Sequence, residues 1–222
     1  MHFQWYPGHM TKAKRMMQED IKLIDLVIEL VDARIPMSSR NPDIDELGKN
    51  KARLILLNKS DLAEEKQNDA WVNYFKEKGF SVIKVNSKKG GGIKSIQGVI
   101  QEACKEKIER DRKRGILNRP VRAMVVGIPN TGKSSFINKM AGRNRAKVAD
   151  KPGVTRSNSW FAVGNGVELL DTPGVLWPKF EDKRCAYRLA ATGAIKNDVL
   201  DVQDIAIFLL EYLTNNYPAT VE

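Results

Sequence analysis

Apolar positions along this chain fall into two kinds of run. Leu26 to Val31, Ala52 to Leu57, Phe80 to Val85 and Val121 to Val126 are nearly continuous, the pattern of strands buried on both faces of a parallel sheet. Between them the apolar residues thin out and recur at helical spacing. Helices are predicted from Thr11, as its cap, to Leu23, and over Asp43 to Asn50, Glu64 to Lys78 and Ile93 to Arg114, with another opening at Ser134. Asn158 to Val163 and Val167 to Leu170 flank Gly164-Asn165-Gly166 and predict a β-hairpin. Phe180 to Tyr217 reads as helical, with Ile205, Phe208, Leu209 and Leu213 on one face. Strands alternating with helices predict an α/β fold with a mostly parallel central sheet flanked by helices. In such sheets ligands bind at the carboxyl ends of the strands.

Four of those strand ends carry chemistry. After Val121 to Val126 comes Gly127-Ile128-Pro129-Asn130-Thr131-Gly132-Lys133-Ser134, followed by Ser135, which has the spacing of a phosphate-binding loop between a strand and a helix. Its glycines let successive N–H groups point inward, and the helix N-terminus adds its positive dipole end. Lys133 is expected to reach the β- and γ-phosphates, and the Ser134 hydroxyl to ligate Mg²⁺. After Ala52 to Leu57 comes Asn58-Lys59-Ser60-Asp61. A carboxylate such as Asp61 at the purine edge accepts from N1–H and the exocyclic amine of guanine, a donor pair that adenine lacks. Asn86 and Ser87, after the next strand, are placed to back the guanine with main-chain N–H groups. Asp171-Thr172-Pro173-Gly174 ends the hairpin: Asp171 is expected to hold Mg²⁺ through water, and the Gly174 N–H to sense the γ-phosphate. Gly142 to Ser157 is polar, and its Thr155 suits a switch loop that grips Mg²⁺ and the γ-phosphate.

Composition adds one asymmetry. The 222 residues suffice for one good-sized domain with a small appendage, and no apolar run approaches membrane-spanning length. The start lacks the apolar core and cleavage site of a signal peptide, so the cytoplasm is the expected compartment. Cys104 and Cys185 are expected to be free thiols. The formal charge of +10 points to a polyanionic partner, with RNA, DNA and acidic membrane surfaces as the options. The Lys/Arg-rich stretch from Lys105 to Arg119 reads either as a solvated helix face or as an RNA-facing one.

The motifs stand in an unusual order. In an ordinary Ras-like G domain the phosphate loop comes first, then the switch threonine and DxxG, and the guanine motifs last. Here the guanine motifs come first, as in a circular permutation, which domains tolerate because their termini often lie close together. With Trp5-Tyr6-Pro7-Gly8-His9-Met10, the run Asp32-Ala33-Arg34-Ile35-Pro36-Met37-Ser38-Ser39-Arg40-Asn41-Pro42, Asn58 to Asp61, Gly127 to Ser135 and Asp171 to Gly174, the chain resembles the circularly permuted GTPases of ribosome assembly over nearly its whole length.

That resemblance implies a Mg²⁺-dependent GTPase acting in late maturation of the large ribosomal subunit, cycling between GTP and GDP. Its partner would be a precursor particle of rRNA and ribosomal proteins rather than a membrane, and a monomer is expected. Residues 1–178 would form the permuted P-loop G domain and 179–222 a C-terminal helical segment, truncated or abbreviated relative to the family's. Val175 stands where many GTPases carry the glutamine that orients water, and its side chain cannot hydrogen-bond water. His9 in the Pro-Gly-His-Met motif is the candidate replacement, or else only caps its turn. Asn130, in a Pro-Asn pattern, implies a K⁺ site where an arginine finger would place charge. Two other readings stay open: a GTP-gated RNA-binding scaffold in which hydrolysis only times release, and an ATP-using P-loop enzyme.

Overall fold

In the computed structural model of the chain, residues 8–142, 159–164, 166–177, 182–195 and 201–220 are described, apart from the side chains of His9 and Thr220. Six strands form one sheet: β1 (Leu26–Asp32), β2 (Ala52–Asn58), β3 (Ser81–Val85), β4 (Val121–Val126), β5 (Ser159–Val163) and β6 (Val167–Asp171). Their spatial order is β3-β2-β1-β4-β6-β5, and only β5, the far arm of the hairpin, runs antiparallel. Counted from the phosphate-loop strand, that order becomes 2-3-1-4-5-6, the strand order of an unpermuted G domain. The chain leaves β1 toward β3 on one side and β4 toward β5 on the other. The switch point therefore lies between β1 and β4, and the carboxyl ends of β1, β2, β4 and β6 gather along one edge.

Helices cover both faces, and the pleat of β1 shows how. Leu26, Ile28 and Leu30 pack into a cluster with Ile96 and Ile100 of α4 (Ile93–Ala103) and Phe136 and Ile137 of α6 (Lys133–Ala141). On the opposite face Val27 joins Met10, Ala13 and Met17 of α1 (Gly8–Asp20) and Leu189 and Ala190 of α7 (Lys183–Ala191). Val31 there packs with Phe75 of α3 (Glu65–Glu77). Between Val27 and Val31 the same face carries Glu29, a charge inside the sheet. Arg40 and Arg53 reach its Oε2 at 2.9 and 3.1 Å, and both also bond Asp45 in the short helix α2 (Asp43–Leu47). Their guanidinium carbons lie 5.1 Å from the centre of the Phe80 ring.

Three predicted elements differ in detail. Thr11 lies within α1 rather than capping it, because the buried stripe of Met10, Ala13 and Met17 already begins before it. The single helix expected over Ile93 to Arg114 is interrupted at Cys104 (φ −106°, ψ 11°), giving α4 and α5 (Lys105–Lys113). On α5, Lys107 pairs with Asp25 at 3.4 Å and with Asp111 at 3.0 Å, tying the connection down to the base of β1. The C-terminal stretch contains two helices, α7 and α8 (Val202–Asn216), each capped by an aspartate, Asp182 and Asp201. α7 is part of the core cluster, whereas α8 meets it through half-buried Ile205 and through Phe208, whose ring lies 5.3 Å from Tyr187.

Candidate nucleotide site

The phosphate-loop motif forms the predicted strand–loop–helix turn. Asn130 takes left-handed backbone angles (φ 60°), and so does Gly132 (φ 97°), where a Cβ would collide with the Asn58 amide. Thr131 Oγ1 donates to the Ile128 carbonyl at 2.9 Å and tightens the turn. Lys133 opens α6 and is buried; its ammonium donates to the carbonyls of Gly127 at 3.0 Å and Ile128 at 2.9 Å. Ser134 and Ser135 follow in the first helical turn, both half-buried.

The Asp171 to Gly174 segment packs directly on this loop. Thr172 Oγ1 donates to the Val125 carbonyl at 2.7 Å, pinning the segment to β4. A Cβ on Gly174 would lie 2.7 Å from the Pro129 nitrogen and 3.1 Å from Lys133 Nζ, so only glycine permits this approach. Asp171 Oδ1 is buried and has no hydrogen-bond partner among the described residues. Burial pushes the Asp171 carboxyl up to about 6 despite the attraction of Lys133. Burial likewise pushes Lys133 down to about 8, with Asp171 opposing it. A buried carboxylate oxygen lacking a donor, beside a buried ammonium at an N–H-rich helix start, fits Mg²⁺ and a polyphosphate by its chemistry.

Asn58 joins this phosphate half to the guanine half. Its Nδ2 donates to the Thr131 carbonyl at 2.6 Å and its Oδ1 accepts from the Ser87 N–H at 3.0 Å, so one side chain links three motifs. Ser60 Oγ donates to the Val85 carbonyl at 3.1 Å, securing the same two loops. Asp61 remains partly exposed, with Lys89 at 3.6 Å. The Asn86 carbonyl and Oδ1 accept from Gly90 and Lys89, folding the loop back on itself. Ser87 is buried, and its Oγ lacks a partner among the described residues. Lys59, with left-handed backbone angles, donates to Asp32 Oδ2 at 2.9 Å.

Three partners here were invisible in the motif spacing. Asp32 ends β1 and receives Lys59. Asn41 Nδ2 donates to the Val175 carbonyl at 3.1 Å, holding the backbone just past Gly174. The Gly193 carbonyl, beyond α7, accepts from Asn130 Nδ2 at 2.6 Å. The only sequence hint was the polar loop from Asp32 to Pro42 at a strand's carboxyl end, where such sheets bind ligands. Val175 itself is buried among Met10, Met17 and Leu176. Two predicted residues cannot be placed: Thr155 lies outside the described residues, and so does the side chain of His9, whose backbone stands in the first turn of α1.

Comparison with known proteins agrees with this arrangement. A family described as 50S ribosome-binding GTPase matches residues 122–219, beginning within the phosphate-loop strand. Ribosome biogenesis GTPase A of Bacillus cereus is 52% identical over 218 residues, spanning 98% of this chain and 74% of that protein. The Thermotoga maritima protein of the same name is 35% identical over 201 residues, covering 90% of this chain and 70% of its own length. Among solved structures, GNP-bound YlqF from T. maritima superposes with a TM-score of 0.66 at 31% identity, over 92% of this chain and 75% of that one. A GDP-bound YlqF gives 0.67 at 30% identity, over 94% and 78%.

Proposed function

The chain belongs to the ribosome biogenesis GTPase A family, and from that membership we propose that it binds a precursor of the large ribosomal subunit under control of its nucleotide state. GTP binding and hydrolysis and a role in ribosome assembly come with the family. The observation that supports the site assignment is Asn58, bonded at once to the phosphate loop and to the Ser87 loop. Guanine recognition and phosphate binding are thereby held in one register.

In this reading Asp61 accepts from the guanine edge, while Asn86 and Ser87 back the base. Thr131, Gly132, Ser135 and Gly174 line the phosphates, and Lys133 exchanges its loop carbonyls for phosphate oxygens. Ser134, Thr155 and Asp171 would hold Mg²⁺, which when bound neutralises charge on the phosphates. Asn130 would ligate K⁺, and His9 would orient the attacking water. We assign residues 1–178 to the catalytic body and residues 179–222 to a helical segment, whose α7 packs on that body and whose Gly193 carbonyl accepts from Asn130. The protein acts as a monomer in the cytoplasm on rRNA-containing particles; no described helix is long and apolar enough to cross a membrane.

Sedimentation with immature and mature large subunits tests partner and switch together. Binding to immature subunits should be stronger with a GTP analogue than with GDP. Equal binding in both states removes nucleotide control, and no binding in either removes the partner.

The burial of Val175 in place of a water-orienting glutamine favours a second reading, a GTP-gated scaffold with slow hydrolysis as a release timer. At saturating precursor, one turnover per binding event supports the timer and many support the enzyme.

A further inference from the structure

Asp32 and Asn58 are register partners at the carboxyl ends of β1 and β2, so Lys59 leaves its strand beside the Asp32 carboxylate. That carboxylate is 4% exposed and is held by its own loop. Arg34 donates to it from its backbone N–H at 3.1 Å, from Nε at 2.9 Å and from Nη2 at 2.7 Å. The Asp32 N–H donates to Ser39 Oγ at 2.9 Å, and that hydroxyl donates to the Pro36 carbonyl at 3.1 Å. Burial by itself would raise the Asp32 carboxyl; the bonds from Arg34 and Lys59 outweigh it and hold it below its ordinary value, so it is charged near neutrality. The carboxylate is thus a fixed, charged anchor, and Lys59 Nζ lies 2.9 Å from its Oδ2.

An unanchored lysine stem samples many rotamers, which are lost when a ligand packs on it. Here the stem is fixed at both ends, by a left-handed backbone at φ 59° and by the ion pair at its tip, between Asn58 and Asp61 in chain order. We propose that Asp32 is a positioning residue of the guanine site: by holding the Lys59 ammonium it keeps the lysine stem ordered as a wall for the purine, so that base binding meets a preorganised surface. The proposal rests on the reading of Asn58 to Asp61 as the guanine contact.

The sign of the effect separates this role from simple electrostatics. Removing a negative charge near a polyphosphate would by itself tighten nucleotide binding, whereas losing the anchor weakens it. Affinity and dissociation rate of fluorescent N-methylanthraniloyl-GDP are to be measured for wild type, Asp32→Asn, Arg34→Met, Lys59→Met and the Asp32→Asn/Lys59→Met pair. Asp32→Asn should raise Kd about tenfold, mainly through faster dissociation. Arg34→Met loosens the anchor but leaves the carboxylate on Lys59, so its defect should be clearly smaller than that of Asp32→Asn, and Asp32→Asn should add nothing once Lys59 is methionine. The proposal is overturned if Asp32→Asn leaves Kd unchanged or lowers it, if Arg34→Met reproduces its defect, or if the two changes add in full. Should Asp32→Asn fail to fold, Asp32→Glu, which moves the carboxylate by one methylene, is read in its place against the same outcomes. Asp61→Asn distinguishes the underlying reading: a variant that keeps its preference for GDP over xanthosine diphosphate discards the guanine assignment itself.

Discussion

The side-chain amide of Asn130 donates a 2.6 Å hydrogen bond to the carbonyl of Gly193, joining the phosphate loop to the chain just beyond α7. A bond of this kind contributes about 1 kcal/mol net, enough to bias a docked helix but not to lock it. If the Asn130 oxygen also meets K⁺, one residue carries both the cation site and the tie to the C-terminal segment. Asn130→Gly removes the side chain while tolerating the left-handed backbone at φ 60°. Hydrogen exchange of residues 183–195 should quicken about fivefold, as expected for losing roughly 1 kcal/mol. GTP hydrolysis should become indifferent to exchanging K⁺ for Na⁺. Unchanged exchange discards the tie, and a wild-type rate already equal in the two salts discards the cation.

Glu29 is the one acidic side chain in the middle of β1, and it is matched by two arginines that are themselves only 12% and 11% exposed. Replacing it with glutamine removes the buried negative charge, leaving the two guanidinium groups one amide oxygen, the half-exposed Asp45 carboxylate and the Phe75 and Phe80 rings. Removing one partner of a buried ion pair costs about 3–5 kcal/mol. Urea unfolding of Glu29→Gln should show a loss of that order with an unchanged slope. A loss under about 1 kcal/mol would mean that water reaches the arginines.

How much of this was legible follows from how local each signal is. The strands around Leu26, Ala52 and Val121 were readable because a buried parallel strand is a continuous apolar run. The phosphate loop and Asn58 to Asp61 were readable because their chemistry is packed into eight and four consecutive residues. Lys59 with Asp32 spans 27 positions and Asn130 with Gly193 spans 63, and no periodicity links such pairs before the sheet brings strand ends together. The break at Cys104 was hidden for a related reason. Composition continues as helix through it, and the interruption accompanies the pairing of Lys107 with Asp25, a residue far earlier in the chain. Exposed Ile207 and Leu210 on α8 show the reverse case, where an apolar run marked a helix without marking a buried face.

Val175→Gln would restore the residue that many GTPases carry after DxxG, yet it should not restore its chemistry. The Val175 side chain is 3% exposed and packs among Met10, Met17 and Leu176, with its backbone carbonyl held by Asn41. A glutamine there buries an amide with no designed partner, at a cost of about 1–3 kcal/mol. Thermal or urea denaturation should record that loss, while intrinsic GTP hydrolysis stays flat or falls. A faster rate at unchanged stability would place the residue in contact with water after all.

The burial of Asp171 and Lys133, only partly offset by their mutual attraction, sets the pH response of the site in the absence of Mg²⁺ and nucleotide. The folded value of Asp171, about 6, lies above its ordinary 3.8 because burial disfavours the carboxylate, so the folded state holds this proton more tightly than the unfolded chain does. Its contribution to stability is fully present below pH 3.8 and is lost as pH rises through about 6. Lys133, lowered to about 8, adds a cost of the same origin that persists below pH 8 and fades only toward 10.5. Asp171→Asn removes the first effect and leaves the second undiminished, since the attraction that opposed it is gone. The stability of wild type minus that of Asp171→Asn should therefore fall between pH 4 and 6, by up to a few kcal/mol, and level off above that window. Denaturant unfolding at a series of pH values reads the difference directly. Adding Mg²⁺ and GDP supplies a cation to the carboxylate, lowers its pKa and should flatten the difference across the same window. Parallel curves for the two proteins in the metal-free state would show that Asp171 titrates normally, and the assignment of Mg²⁺ to an electrostatically strained carboxylate would go with them.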